Sequence, residues 1–337
     1  MRAVVVRAFG APPELTQVQD PACPPDGVVV AVEATGLCRS DWHGWMGHDR
    51  DIVLPHVPGH ELAGTVVETG ASVTRWRVGD RVTTPFVLAC GRCRPCLRGD
   101  GQVCDDQLQP GFTQWGSFAE LVALPRADVN LVRVPDEVSA DVAASLGCRF
   151  ATAYRAVVHV ARVQAGETVV VQGCGGVGLS AVMVAGALGA RVLALDPDPA
   201  SLALAVQLGA APASAELAEG ADVTLDAFGS PANLAAGIAS LRPRGRHVQV
   251  GLLGGPDASP PVDMGRVLAQ ELQLLGSHGM PASDYPELLA RVADGTLDPG
   301  RLLRDRIGLA EAGPRLAALG RPGAGAGGMT VIRPDLG

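Results

Sequence analysis

Up to about residue 145 the apolar positions fall in short runs broken by Gly and Pro. Val4-Val5-Val6, Val28-Val29-Val30-Ala31-Val32, Gly64-Thr65-Val66-Val67 and Arg81-Val82-Thr83-Thr84 read as strands between turn residues. Near Asp141 the pattern changes. Asp141 to Ala144 and Tyr154 to Val163 read as helices and lead into an apolar strand, Thr168-Val169-Val170-Val171. From there the two element types alternate. Helices at Gly178 to Leu188, Ser201 to Leu208 and Asn233 to Leu241 stand between strands at Arg191 to Leu195, Asp222 to Ala227 and His247 to Val250. Such alternation predicts βαβ units around a parallel sheet with both faces covered. After that come helix-like stretches at Tyr285 to Val292 and Ala310 to Leu319, a Gly/Ala loop from Gly323 to Gly328, and a terminal strand Thr330-Val331-Ile332. This last part reads as a return to the first domain rather than a further βαβ unit.

Composition narrows the class. A chain of 337 residues exceeds one ordinary core, so two domains are expected. With 47% hydrophobic and 18% charged residues it is a globular chain with ample apolar material to bury. Its formal net charge is -8 and its basic residues form no cluster, which argues against nucleic acid or an anionic membrane as partner. All 27 basic residues are Arg, which excludes lysine Schiff-base or lysine general-base chemistry. The start, MRAVVVRAFG, has no long apolar core or small-residue cleavage site, and no membrane-length apolar run follows, so a cytoplasmic protein is expected. Eight cysteines in such a chain point to metal or redox chemistry before disulfides.

Four of those cysteines, Cys90, Cys93, Cys96 and Cys104, lie close together in sequence. Zinc takes four ligands in a tetrahedron, and thiolates two residues apart on a tight turn supply them without long-range folding. Gly91, Arg92, Arg94, Pro95, Arg98 and Gly99 suit a surface lobe, and the arginines offset part of the thiolate charge. An iron–sulfur cluster is the competing reading of four clustered thiolates. Zinc is preferred because the neighbouring motifs also suit zinc, and with four protein ligands the site would be structural.

Three further fragments are weak when taken singly: Cys38-Arg39-Ser40-Asp41-Trp42-His43, Gly59-His60-Glu61, and Gly147-Cys148-Arg149. A lone His is more often a core or surface residue than a ligand, and a lone buried Cys is usually a small hydrophobe. The loop Gly173-Cys174-Gly175-Gly176-Val177-Gly178 is stronger. It follows an apolar strand and opens an apolar helix, the context that Gly-x-Gly-x-x-Gly needs to cradle a pyrophosphate. Asp196 ends the next strand, where a carboxylate accepts from both ribose hydroxyls and repels a 2′-phosphate, so NAD is favoured over NADP. The alternative for Asp196 is a helix cap.

In order and approximate spacing these motifs resemble the zinc-dependent alcohol dehydrogenases of the medium-chain dehydrogenase/reductase superfamily along essentially the whole chain. The resemblance implies two zinc ions and NAD. Cys38, His60 and Cys148 would hold the catalytic zinc, with Glu61 beside it and able to visit the metal, and Asp41 would orient His60. Zinc would lower the pKa of a bound alcohol, whose hydride passes to the nicotinamide. Ser40 would take the proton and His43 would carry it outward through the cofactor ribose, although a turn serine and a surface histidine are the bland alternatives. Arg39 would contact the pyrophosphate, and Val250 and Leu252 complete the expected cofactor set. Ser201 and Met329 stand where relatives often carry basic residues, which would weaken cofactor binding. Trp45 and Phe86, and more weakly Trp115, fall where relatives line the substrate channel, but core packing explains them equally well. Cys174 reads as a small filler, and Cys23 has no evident role.

The expected α/β architecture is a GroES-like β-rich catalytic domain (1–149, with the zinc lobe at 90–104), a Rossmann domain with a doubly wound parallel sheet (150–276) and a C-terminal segment (277–337) completing the first. The active site is expected in the cleft between the two domains. The expected substrate is a small alcohol or aldehyde, and the expected assembly a homodimer or homotetramer. A polyol or hydroxy-amino-acid dehydrogenase and a non-catalytic nucleotide-binding protein are the alternatives.

Overall fold

The computed structural model describes residues 1–214, 219–321 and 328–336. Of the Gly/Ala tract read as a loop, all but Gly328 lies outside them. The chain divides into two compact units. Among the described residues the first unit holds 1–151, 279–321 and 329–336, and the second holds 152–278 and Gly328.

The first unit is built on a mixed sheet. Its spine is Val28–Leu37, paired antiparallel with Leu62–Thr69, Leu121–Leu124 and Met329–Ile332. Leu62–Thr69 continues to Arg81–Thr83 and Val132–Arg133, while Leu303–Ile307 runs parallel to Met329–Ile332. The spine is a run of β-branched and small residues. Its Val28, Val30 and Val32 are buried with Leu62, Val66, Val82, Val122, Leu124 and Leu131 in one core. The expected strand Val4 to Val6 is seen as Arg2–Val5, paired with Glu14–Gln17. Among the elements not read from the pattern are the seven-residue helix Arg39–Trp45 and the strand Leu303–Ile307, whose three middle residues are charged and exposed.

Among the described residues the second unit carries six parallel strands in the order Ala211–Pro212, Arg191–Leu195, Thr168–Gln172, Ala221–Asp226, Leu241–Gln249, Gln273–Gly276. The first strand in sequence thus lies in mid-sheet, and the winding reverses beside it, as in a Rossmann sheet. Helices at Gly176–Ala187, Pro199–Gln207 and Pro231–Ser240 follow the strands, each within a few residues of the expected position. The strand expected from His247 begins earlier, at Leu241, because Arg-Pro-Arg-Gly masks its first half with polar and turn residues. The helix expected over Tyr154 to Val163 is α-helical at Ala151–Arg155 and then widens to a π-helical turn, Ala156–Val160. Among the described residues no helix is long and apolar enough to cross a membrane.

Candidate active site

Helix Arg39–Trp45 starts at Cys38, and its third residue, Asp41, folds back to accept the Cys38 backbone N–H at 2.9 Å. The other Asp41 oxygen accepts from the Gly59 N–H at 3.1 Å and from His60 Nδ1 at 2.9 Å. One buried carboxylate therefore fixes both the Cys38 turn and the His60 ring. Gly59 has φ +105°, and a Cβ there would stand 2.5 Å from the Phe118 ring, so the turn that delivers His60 requires glycine. Cys148 arrives from far along the chain on a π-helical turn, Leu146–Phe150. Tyr285 anchors that turn by donating to the Leu146 and Gly147 carbonyls at 3.1 and 3.3 Å.

These elements bring Cys38, His60, Glu61 and Cys148 together, with one donor atom from each within 4.8 Å of the others. With Nδ1 tied to Asp41, His60 Nε2 is buried without a hydrogen-bond partner. An orphaned imidazole nitrogen beside two thiols is costly unless a cation uses it. The proton affinities agree. The Cys148–Cys38 hydrogen bond holds Cys38 well below the ordinary thiol value and, with burial, pushes Cys148 well above it. Burial alone would lower His60, but Asp41 and Cys38 outweigh it and leave the imidazole well above its ordinary value. Donors that compete for protons in this way suit a dication, whose binding releases them.

Glu61 is paired rather than free. The Arg149 backbone N–H and Nε both donate to Oε1, and Nη2 donates to Oε2. Burial raises the Glu61 carboxyl above its ordinary value while Arg149 opposes that rise. Removing one partner would leave a buried charge uncompensated, at a cost of about 3–5 kcal/mol. Sequence reasoning missed Arg149, whose partner Glu61 lies 88 positions away in the chain. It also missed Phe112, whose ring centroid lies 5.2 Å from that of His60, against 6.3 Å for Phe86.

The other expected residues separate. Ser40 and His43 lie on the Cys38 helix, and His43 Nδ1 is 3.0 Å from His48 Nδ1. Arg39 is exposed at the first position of that helix. Trp45 packs in the core with Val6, Leu37 and Phe118 and donates to the Ala11 carbonyl, which is the packing alternative. Trp115 is 39% exposed, donates to the Pro55 carbonyl and lines a surface cavity with Met1 and Pro21. Neither indole is placed beside His60 in the way that Phe86 and Phe112 are.

The lobe is self-contained. Cys93 Sγ lies 3.3 Å from Cys96 Sγ and 3.7 Å from Cys104 Sγ, and Cys90 Sγ lies 4.0 Å from Cys96 Sγ. Backbone N–H groups of Arg92 and Cys93 point at Cys90 Sγ, and that of Asp106 at Cys104 Sγ. The Arg92 N–H leads in lowering Cys90 to about 6, while burial leads in raising Cys96 to about 12. Four sulfurs within reach of one another, served by N–H donors, fit a closed metal site.

In the second unit Gly173 has φ +92°, and a Cβ on Gly178 would stand 1.7 Å from the Gly173 carbonyl oxygen, so both positions need glycine. Gly175 caps helix Gly176–Ala187, and a Cβ there would meet nothing within 4 Å, which leaves space at the helix N-terminus for a phosphate. Val177 lies in the first turn of that helix. Asp196 accepts from the Cys174 and Asp198 N–H groups at 2.6 and 2.8 Å. Helix capping falls instead to Asp198, which also accepts from Ser201 Oγ. Val250 donates to the Asp226 carbonyl, and Leu252 is 73% exposed just beyond it. Met329 is buried in its strand.

Residues 24–136 match the alcohol dehydrogenase GroES-like domain, and residues 176–294 match the zinc-binding dehydrogenase domain. The chain is 34% identical over 310 residues to an alcohol dehydrogenase of Geobacillus stearothermophilus, covering 88% of this chain and 90% of the relative. It is 31% identical over 322 residues to an L-threonine 3-dehydrogenase of Sinorhizobium medicae, covering 90% and 91%. A solved alcohol dehydrogenase from Thermus sp. ATN1 superposes with a TM-score of 0.90 at 32% identity over 99% of both chains. Given this agreement in sequence, in fold and in the donor set around His60, the chain belongs to the zinc-dependent alcohol dehydrogenases of the medium-chain dehydrogenase/reductase superfamily.

Proposed function

We propose that this oxidoreductase interconverts a simple primary or secondary alcohol with its carbonyl compound, using NAD. In this reading Cys38, His60 and Cys148 hold a catalytic zinc, and Cys90, Cys93, Cys96 and Cys104 hold a structural one. The observation that carries it is His60, whose Nδ1 is fixed by Asp41 while Nε2 stays buried and unpartnered beside two thiols. When bound, zinc would supply Lewis acidity and NAD a hydride acceptor. The chain's own residues do the rest. Asp41 holds the His60 tautomer, Ser40 receives the alcohol proton, and His43 passes it outward. Burial, with His48 and Arg39 nearby, lowers the His43 pKa and keeps it neutral and ready to accept that proton.

Phe86 and Phe112 beside His60 favour an apolar substrate. The Sinorhizobium relative is named for threonine, whose ammonium and carboxylate would need opposite charges. Beside the donor set in the first unit, Glu61 and Arg149 already neutralise each other, which favours a simple alcohol. Asp196, freed of helix capping, favours NAD over NADP. The proposed domain boundaries remain 1–149, 150–276 and 277–337. A homodimer or homotetramer is supported by the edge strand Gln273–Gly276, with Leu274 and the nearby Leu268 exposed, and light scattering of the purified chain tests it.

A panel of primary, secondary and polyhydric alcohols and threonine, followed by NADH absorbance, tests the substrate reading. Simple alcohols should be turned over with the highest kcat/KM. Threonine as the best substrate would overturn the preference.

A further inference from the structure

Glu61 and Arg149 each follow a proposed zinc ligand, His60 and Cys148, so the two chain segments that deliver ligands also deliver an ion pair. Two donors to Oε1, at 3.0 and 2.9 Å, and one to Oε2, at 2.5 Å, fill most of the acceptor positions of the carboxylate. The backbone is shaped to this pair. A Cβ on Gly36 would stand 2.0 Å from Glu61 Oε2 and 3.0 Å from Arg149 Nη2, and one on Gly147 would stand 2.9 Å from Glu61 Cα. Glu61 is fully buried and the Arg149 side chain is 10% exposed.

Glu61 nevertheless belongs to the group of four donors. Released from its partner, it would stand within reach to complete a four-ligand set, and a metal with four protein ligands has no position left for substrate. We propose that Arg149 is a positioning residue that keeps the Glu61 carboxylate out of the coordination set and so preserves an open position. Its charge also balances the site, because two thiolates and a carboxylate exceed a dication by one negative charge. The proposal rests on Cys38, His60 and Cys148 being the ligands.

The test uses the full chain with cobalt(II) in place of zinc, and azide as a small anion that takes an open metal position. Azide should change the cobalt absorption of the parent protein in a saturable way. Arg149→Met should weaken that response about tenfold or more, in the range of other outer contacts to metal sites. Arg149→Met combined with Glu61→Gln should restore it, since no carboxylate then competes. A merely structural role predicts the opposite, because a second substitution in the buried pair would not repair the first. If Arg149→Met does not fold, Arg149→Lys carries the test: it keeps the charge but lacks the fork, and should weaken azide binding measurably. Unchanged azide binding in the Arg149 variant, or no recovery in the double variant, overturns the proposal. The ligand assignment is tested separately by Cys148→Ser, which should alter the cobalt spectrum; an unchanged spectrum there points to failure of that assignment instead.

Discussion

In the lobe all four sulfurs come from residues 90–104 and are served by backbone N–H groups of the same stretch and its immediate neighbour Asp106. The second cluster takes Cys38 from a helix start, His60 from a glycine turn and Cys148 from a π-helical turn, and it adds Asp41 and Arg149 to hold them. The first can form with little help from the rest of the fold. The second exists only when the first unit is packed, and it leaves one buried nitrogen unpartnered. A closed and local site suits a structural role, whereas an open site built from distant segments suits chemistry.

The comparison predicts unequal effects. Cys148→Ser should abolish alcohol turnover while circular dichroism reports a folded chain; substantial turnover in a metal-replete variant would break the distinction. Asp41→Asn leaves the four sulfurs of the lobe untouched but loosens both Cys38 and His60. It should weaken metal binding at the dispersed site about 10–100-fold, read by chelator competition. The smallest effect concerns pH. His43 has a lowered pKa, so its neutral form should persist below pH 6.5, and kcat/KM for alcohol oxidation should fall only further toward acid. Burial is the leading cause, and the neighbouring His48 adds to it. His48→Gln removes that neighbour and should move the acid limb toward higher pH; movement the other way would argue against the pairing.

What was legible followed from range. The cysteine spacing of the lobe and the strand–loop–helix around Gly173 are local patterns, and both appear where they were read. The alternation of the second unit was legible because each parallel strand is an apolar run flanked by its helix. Arg149 was missed because an arginine beside a cysteine carries no signal until Glu61, 88 positions away in sequence, is packed against it. The aromatic residues show the same limit. Sequence position could not separate Trp45, which packs in a core, from Phe86, which lies beside His60. Polar edge strands such as Leu303–Ile307 lack the apolar alternation that betrays a strand.

In this reading the lobe shapes the protein and the dispersed site does its chemistry. Cys93→Ser tests it most directly, with zinc content and turnover measured on the same folded sample. The variant should lose one of two zinc ions per chain and some thermal stability, yet keep its turnover per folded molecule. Loss of turnover with the second zinc still bound and the fold intact would contradict the account.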